Sequence, residues 1–186
     1  MNHKNILLVE GEADRGFFEA LCRHLSLAVS VKVTTAKDAG QYKNSKQAAL
    51  AAVQTLYLSQ LADAQIERLA IIIDADRAAD GGGYDIGAWV MPDNANDGML
   101  EDWVQGNLHP NEAALMQHAK ASIDRIPGSP KFKPIRRPKA EVATWLAWQE
   151  APDHGLWQAA KPGLLDESAP QYAALKKWLE KIFAAA

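Results

Sequence analysis

The stretch LAIIIDAD, Leu69–Asp76, is an apolar run that stops abruptly in two carboxylates. Three consecutive isoleucines leave no polar face, the pattern of a strand buried on both sides. Such strands belong inside parallel sheets covered by helices. A second stretch, LLVEGEAD, Leu7–Asp14, has the same build. Asn5–Val9 predicts another buried strand, and acids follow it around the turn residue Gly11.

Outward from these two strands the periodicity alternates. Phe17, Leu21, Cys22 and Leu25 recur at helical spacing between Ala13 and Leu27. Val29–Thr34 is β-branched and alternating, hence a strand. After a polar loop, Ser45 to about Ala64 is rich in helix formers. Beyond Asp76 comes a glycine-rich stretch with Gly81–Gly83, expected to be a flap, then a fourth strand in IGAWVMP ended by Pro92. Helices are expected from MLEDWVQGNL, over Asn111–Ile126, over Ala140–Gln149 and over Tyr172–Phe183. PGSPKFKPIRRPK, with four prolines in thirteen residues, and APDHGLWQAAKPG are expected to be irregular. The order implies an α/β, Rossmann-like fold: a mostly parallel four-stranded sheet flanked by helices, with a helical C-terminal extension. Residues 1–108 form the expected α/β core, and 109–186 the extension packed on it.

The 186 residues carry a net charge of -3, so charge alone does not make the chain a polyanion binder. No apolar run approaches the roughly 20 residues of a membrane span. The single cysteine, Cys22, cannot form an internal disulfide, and a cytoplasmic location is expected.

The chemistry lies in the carboxylates. Ligands of open α/β sheets bind at the carboxyl ends of the strands. Asp74 and Asp76, two apart, face one side, and Glu10 joins them if the two strands are neighbours. Crowded carboxylates repel, and a divalent cation removes the conflict. Oxygen donors favour Mg²⁺, or Mn²⁺, over zinc. Gly11 would give close access to backbone, and Asp14 falls in a first helical turn, where negative charge is favoured.

VEGEAD followed by IIIDAD resembles the Toprim domain, shared by topoisomerases, bacterial primases, ribosomal-RNA maturases and the overcoming-lysogenization-defect (OLD) nucleases. The resemblance covers Asn5 to Trp103 and implies a Toprim fold. It implies Glu10 as general acid/base or metal ligand, and Asp74 and Asp76 as holders of Mg²⁺. MPDNANDGMLEDW and KAEVATWLAWQ look like small stand-alone Toprim proteins of uncharacterised function. The chain has no room for a topoisomerase's separate tyrosine-bearing DNA-cleaving domain and no Cys-rich zinc module of a primase, so it is most similar to the OLD and maturase branch. OLD-type sites hold a second metal with further acids; the candidates are Asp14, Glu101 and Asp102. That branch implies a setting in DNA repair or phage defence.

KFKPIRRPK puts Lys131, Lys133, Arg136, Arg137 and Lys139 within nine residues, a segment able to follow a phosphate backbone. Phe132 could stack on a base. Trp89, Trp145, Trp148 and Trp178 are expected in the core. The histidines have no ligand spacing. The leading expectation is Mg²⁺-dependent phosphodiester hydrolysis of DNA or RNA. One alternative is a catalytically silent metal- and nucleic-acid-binding subunit serving a partner ATPase, since no ATP-binding motif is present. Another is a small-molecule phosphohydrolase.

Overall fold

A computed structural model describes residues 4–33, 45–74, 87–152 and 155–184. Asp76, Gly81–Gly83 and the polar loop after Val33 lie outside the described residues. The elements are β1 (Asn5–Val9), α1 (Glu12–His24), β2 (Ser30–Val33), α2 (Ser45–Ala52), α3 (Leu58–Ala62), β3 (Arg68–Asp74), β4 (Gly87–Met91), α4 (Leu100–Gly106), α5 (Ala113–Asp124), α6 (Arg137–Leu146) and α7 (Pro170–Phe183). A wider π-type turn, Val53–Tyr57, joins α2 to α3. The sheet order is β2-β1-β3-β4, and every pairing is parallel. This is a Rossmann-like α/β fold with a helical C-terminal part.

The apolar runs split by parity onto two faces. Leu7, Val9, Ala70, Ile72, Trp89 and Met91 face α1, α4, α6 and α7 in one large core. Ile6, Leu8, Leu69, Ile71 and Ile73 face Ala49 and Val53 in a smaller one. Trp103 lies at the centre of the large core, edge-on to Phe17 at 5.8 Å and stacked on Tyr172 at 5.7 Å. Truncating a side chain buried this way costs roughly 3–5 kcal/mol. The core therefore draws on residues from both halves of the chain, Tyr172, Leu175 and Leu179 of α7 included. Gly87 lets α7 approach β4: a Cβ there would stand 2.1 Å from Ile182 Cδ1.

Four expectations are corrected. The basic, proline-rich stretch is not wholly irregular. A 3₁₀ turn, Pro134–Arg136, leads into α6 at Arg137, because Pro138 occupies the first turn, where no N–H is needed. The stretch after Pro152 is not only loop: Leu156–Ala160 forms a 3₁₀ turn whose Ala159 and Ala160 pack in the core against α1. Trp148 is 43% exposed, since α6 ends at Leu146 and its stripe ends with it. Gly11 has an ordinary extended φ of -144°, so room rather than backbone freedom explains it: an added Cβ would meet Asp14 Oδ2 at 3.3 Å. Among the described residues, no helix is long and apolar enough to cross a membrane.

Candidate functional site

β1 and β3 are adjacent, with Leu8 level with Ile71, so both carboxylate-bearing ends emerge side by side. Asp74 N–H donates to Glu10 Oε1 at 3.0 Å. The Glu10 side chain thus continues the ladder that the β1 backbone leaves at Val9. Asp74 shares the parity of Ala70 and Ile72 and points to the large-core face. There its Oδ1 accepts the Leu100 N–H, at the first residue of α4, at 3.2 Å. Burial, first of all, and then the charges of Asp14 and Glu10 push the Asp74 carboxyl up to about 7.

Asp14 approaches from the first turn of α1. Burial raises it to about 6; Lys139 counters this, while Glu101 and Glu10 add to it. Its favourable place at a helix start therefore does not keep its pKa at the ordinary carboxylate value. Glu10, Asp14 and Asp74 line a cavity of about 10 Å³ with Phe18, Met91 and Leu100. That is the space of about one water-sized body. Glu101, 5% exposed, comes from the second residue of α4. Its Oε1 accepts Lys139 Nζ at 3.1 Å. Its Oε2 is buried with no hydrogen-bond partner among the described residues. Asp102, its neighbour, turns away and accepts the Met99 N–H at 2.9 Å, a helix cap rather than a site residue.

As a donor set these acids suit a hard divalent cation: all are oxygen, two are held up towards neutral pH, and one oxygen is buried without a partner among the described residues. Among the described residues, however, no three acid, histidine or cysteine side chains converge closely enough to hold a metal ion. Asp76, the remaining acid of the pair, is outside those residues. The donor type is that of a hard cation's ligands, and the described residues do not by themselves form a coordination shell.

Comparison with known families adds one finding. The model of a protein of unknown function, DUF3226, matches residues 4–82 and 77–184. The chain belongs to the DUF3226 family. No curated protein and no solved structure matches it. The acidic cluster of this DUF3226 chain draws on both matched stretches, Glu10, Asp14 and Asp74 from the first and Glu101 with Lys139 from the second.

The basic segment divides. Lys131, Lys133 and Arg136 are exposed, and Phe132 is half-buried. Arg137 is committed to Asp124 at 2.7 Å and to the buried Glu141 at 2.6 Å. Lys139 is not part of an outward cationic strip, because it belongs to the acidic cluster. Its place there was missed in the sequence. The available signal was its spacing of three and seven from the buried Val142 and Leu146, which puts it on the inner face of α6.

Proposed function

We propose that this chain is a Mg²⁺- or Mn²⁺-dependent, Toprim-like phosphodiesterase that acts on DNA or RNA in the cytoplasm. The observation that carries the reading is the joint placement of Glu10 and Asp74 at adjacent strand ends, linked to each other, with Asp14 and Glu101 beside them. Asp74, Asp76 and Glu10 would hold the cation, with Asp14 and Glu101 as further donors. Such a cation supplies polarisation of the phosphate and stabilisation of the leaving oxygen. The chain's own contribution is orientation and proton transfer. The Asp74 N–H fixes the Glu10 carboxylate at the sheet end, where it acts as general acid/base. Asp74, pushed up to about 7 by burial and then by Asp14 and Glu10, is a carboxyl whose charged form a bound cation would favour. A one-water cavity does not enclose a substrate, which is in keeping with a polymer whose phosphate approaches from outside. Lys131, Lys133 and Arg136 would hold its backbone without reading bases.

The alternative readings are a silent metal- and nucleic-acid-binding subunit that acts with a partner ATPase and a small-molecule phosphohydrolase. Labelled single-stranded DNA, duplex DNA and RNA, and a mononucleotide, incubated with the protein and Mg²⁺ or Mn²⁺, separate the readings. The expected result is polymer cleavage lost in Glu10→Gln and Asp74→Asn. Cation-dependent binding without cleavage supports the silent subunit. Hydrolysis of the mononucleotide alone supports a small-molecule phosphohydrolase. Cleavage undiminished in both variants refutes the site.

A further inference from the structure

A second cavity, of about 320 Å³, has no part in the site described above. It is lined by Asp97, Met99 and Asp102 around the start of α4 and by Pro134, Ile135 and Pro138 from the turn that leads into α6. Its size is near the lower end of small-ligand pockets, roughly 300–1,000 Å³. Met99, Ile135 and the two prolines make its walls apolar. Ile135 is 64% exposed, the most open large apolar side chain among the described residues. A lone exposed isoleucine is ordinary, but one that walls a cavity between prolines offers a face to a flat ring. The polar lining consists of acceptors. Asp102, turned away from the strand ends, commits Oδ2 to the Met99 N–H at 2.9 Å. Among the described residues no hydrogen bond reaches its other oxygen or the Asp97 carboxylate. The rim has the opposite charge. Lys133 and Arg136 flank Pro134 and Ile135 in the chain, and both are exposed with no ion pair among the described residues. The cavity also adjoins the acids: Leu100 N–H donates to Asp74 Oδ1 at 3.2 Å, and the preceding N–H, of Met99, donates to Asp102.

Apolar walls, carboxylate acceptors and a cationic rim fit a planar ring that carries donors on its edge and phosphates on its flanks. Guanine is the nucleobase whose free edge presents two neighbouring donors, N1–H and the 2-amino group. Adenine and cytosine present one amino donor beside an acceptor, and thymine and uracil one N–H between two acceptors. In a duplex the guanine edge is already paired, so a single strand alone offers it. We propose that this cavity takes an unpaired guanine of a single-stranded polynucleotide. Asp97 and Asp102 accept from its pairing edge, Ile135 and the prolines lie against its ring, and Lys133 and Arg136 hold the flanking phosphates. This rests on the reading above that the chain acts on nucleic acid, and narrows the substrate to single strands that contain guanine. The seated base brings an adjoining phosphate to the Met99–Leu100 step, beside Asp74. Asp97, Asp102 and Ile135 are then specificity residues, apart from the reacting atoms.

Fluorescence anisotropy on the whole chain in EDTA tests this without cation or cleavage. The probes are labelled thymidine oligonucleotides with one central guanine, adenine or hypoxanthine, the last lacking the 2-amino donor. The guanine strand is expected to bind roughly tenfold more tightly than the adenine strand, with hypoxanthine between them. Asp97→Asn/Asp102→Asn keeps an acceptor for the Met99 N–H and should cut the preference to within about twofold, with the adenine strand bound no more weakly. Ile135→Ala, at an exposed position, should weaken the guanine strand a few-fold. Equal binding of guanine and adenine strands by the wild type overturns the inference. So does a preference that survives both sets of substitutions, or equal affinity for a duplex that holds the same guanine. Guanosine monophosphate bound as tightly as the strand makes this a free-nucleotide pocket and overturns the single-strand assignment. Cation-dependent cleavage with no guanine preference overturns the inference alone. Guanine-selective binding with no cleavage under Mg²⁺ or Mn²⁺ overturns the phosphodiesterase reading alone. No binding of any polynucleotide overturns both.

Discussion

Asp74 closes β3 and Asp93 lies two residues beyond β4, so both acids stand where parallel strands end. Asp93 is half-buried and accepts the Ala95 N–H at 3.1 Å, the Asn96 N–H at 2.8 Å, the Asn96 side-chain amide at 2.7 Å and the Gln171 side-chain amide at 3.3 Å. Those donors, the Asn96 side chain foremost, hold its carboxyl below the usual range. Asp166 repeats the arrangement with the hydroxyl and N–H of Ser168. Asp74 has the opposite surroundings. It is half-buried beside three other carboxylates, and desolvation leads the causes that push it to about 7. Burial alone does not explain the contrast. Glu141 is buried too, but Arg137 and Gln105 meet its two oxygens at 2.6 and 3.1 Å. Acids that organise a turn or a helix packing are matched by donors in place. The strand-end acids are gathered faster than the chain supplies charge to match them, and that surplus is what a divalent cation would relieve.

The largest expected effect is on catalysis. Asp74→Asn keeps an acceptor for the Leu100 N–H and removes the charge. It should lower cation-dependent cleavage by roughly 10²–10⁴-fold in single-turnover assays. Asp93→Asn should change it by less than about twofold, and an equal loss in both would erase the distinction between the two acids.

Next is stability against pH. The folded pKa values of Asp14 and Asp74, about 6 and about 7, lie above the 3.8 of an ordinary aspartate. The folded state therefore binds more protons than the unfolded state between those limits, and stability falls as pH rises through them. Urea denaturation without divalent cations should show a loss on the order of 2 kcal/mol between pH 5 and pH 8. Mg²⁺ should flatten the slope. Asp93 and Asp166, with lowered pKa values, act the other way: their contribution is present above 3.8 and lost as pH falls below it. At pH 8 without divalent cations, Asp74→Asn should be more stable than wild type by on the order of 1 kcal/mol, in keeping with relief of buried repulsion. Asp93→Ala should be less stable by no more than about 1 kcal/mol.

The smallest effect concerns the exposed cations. Lys131→Ala/Lys133→Ala/Arg136→Ala should raise KM for polynucleotide a few-fold, leave kcat alone, and reduce the salt dependence of binding. A fall in kcat would mean that this segment reaches the reacting phosphate.

The strands bearing the site were legible because burial on both faces leaves a sequence no polar parity. Asn5–Val9 is found at its expected bounds, and β3, Arg68–Asp74, runs through the three isoleucines that marked it. Their adjacency was not legible; it is a property of pairing, visible only in the register of Leu8 with Ile71. Proline misled at α6, because a residue that breaks a helix interior is at home in the first turn. Glu101 and Asp102 could not be ranked from their order alone. The third helical position turned Asp102 back to cap Met99, and the second left Glu101 facing the strand ends. Lys139 was read with the basic run around it, and only the inner face of α6 separates it from Lys131 and Lys133.

The central claim is that a divalent cation relieves the crowding at the strand ends, and it is tested most directly by the titration of Asp74 itself. The ¹³C carboxyl resonance of Asp74, followed across pH with and without saturating Mg²⁺, should titrate near 7 in the free protein and shift well into the acid range with the ion. The Asp93 resonance should be indifferent to Mg²⁺. An Asp74 midpoint that stays in place when Mg²⁺ is added would contradict the account.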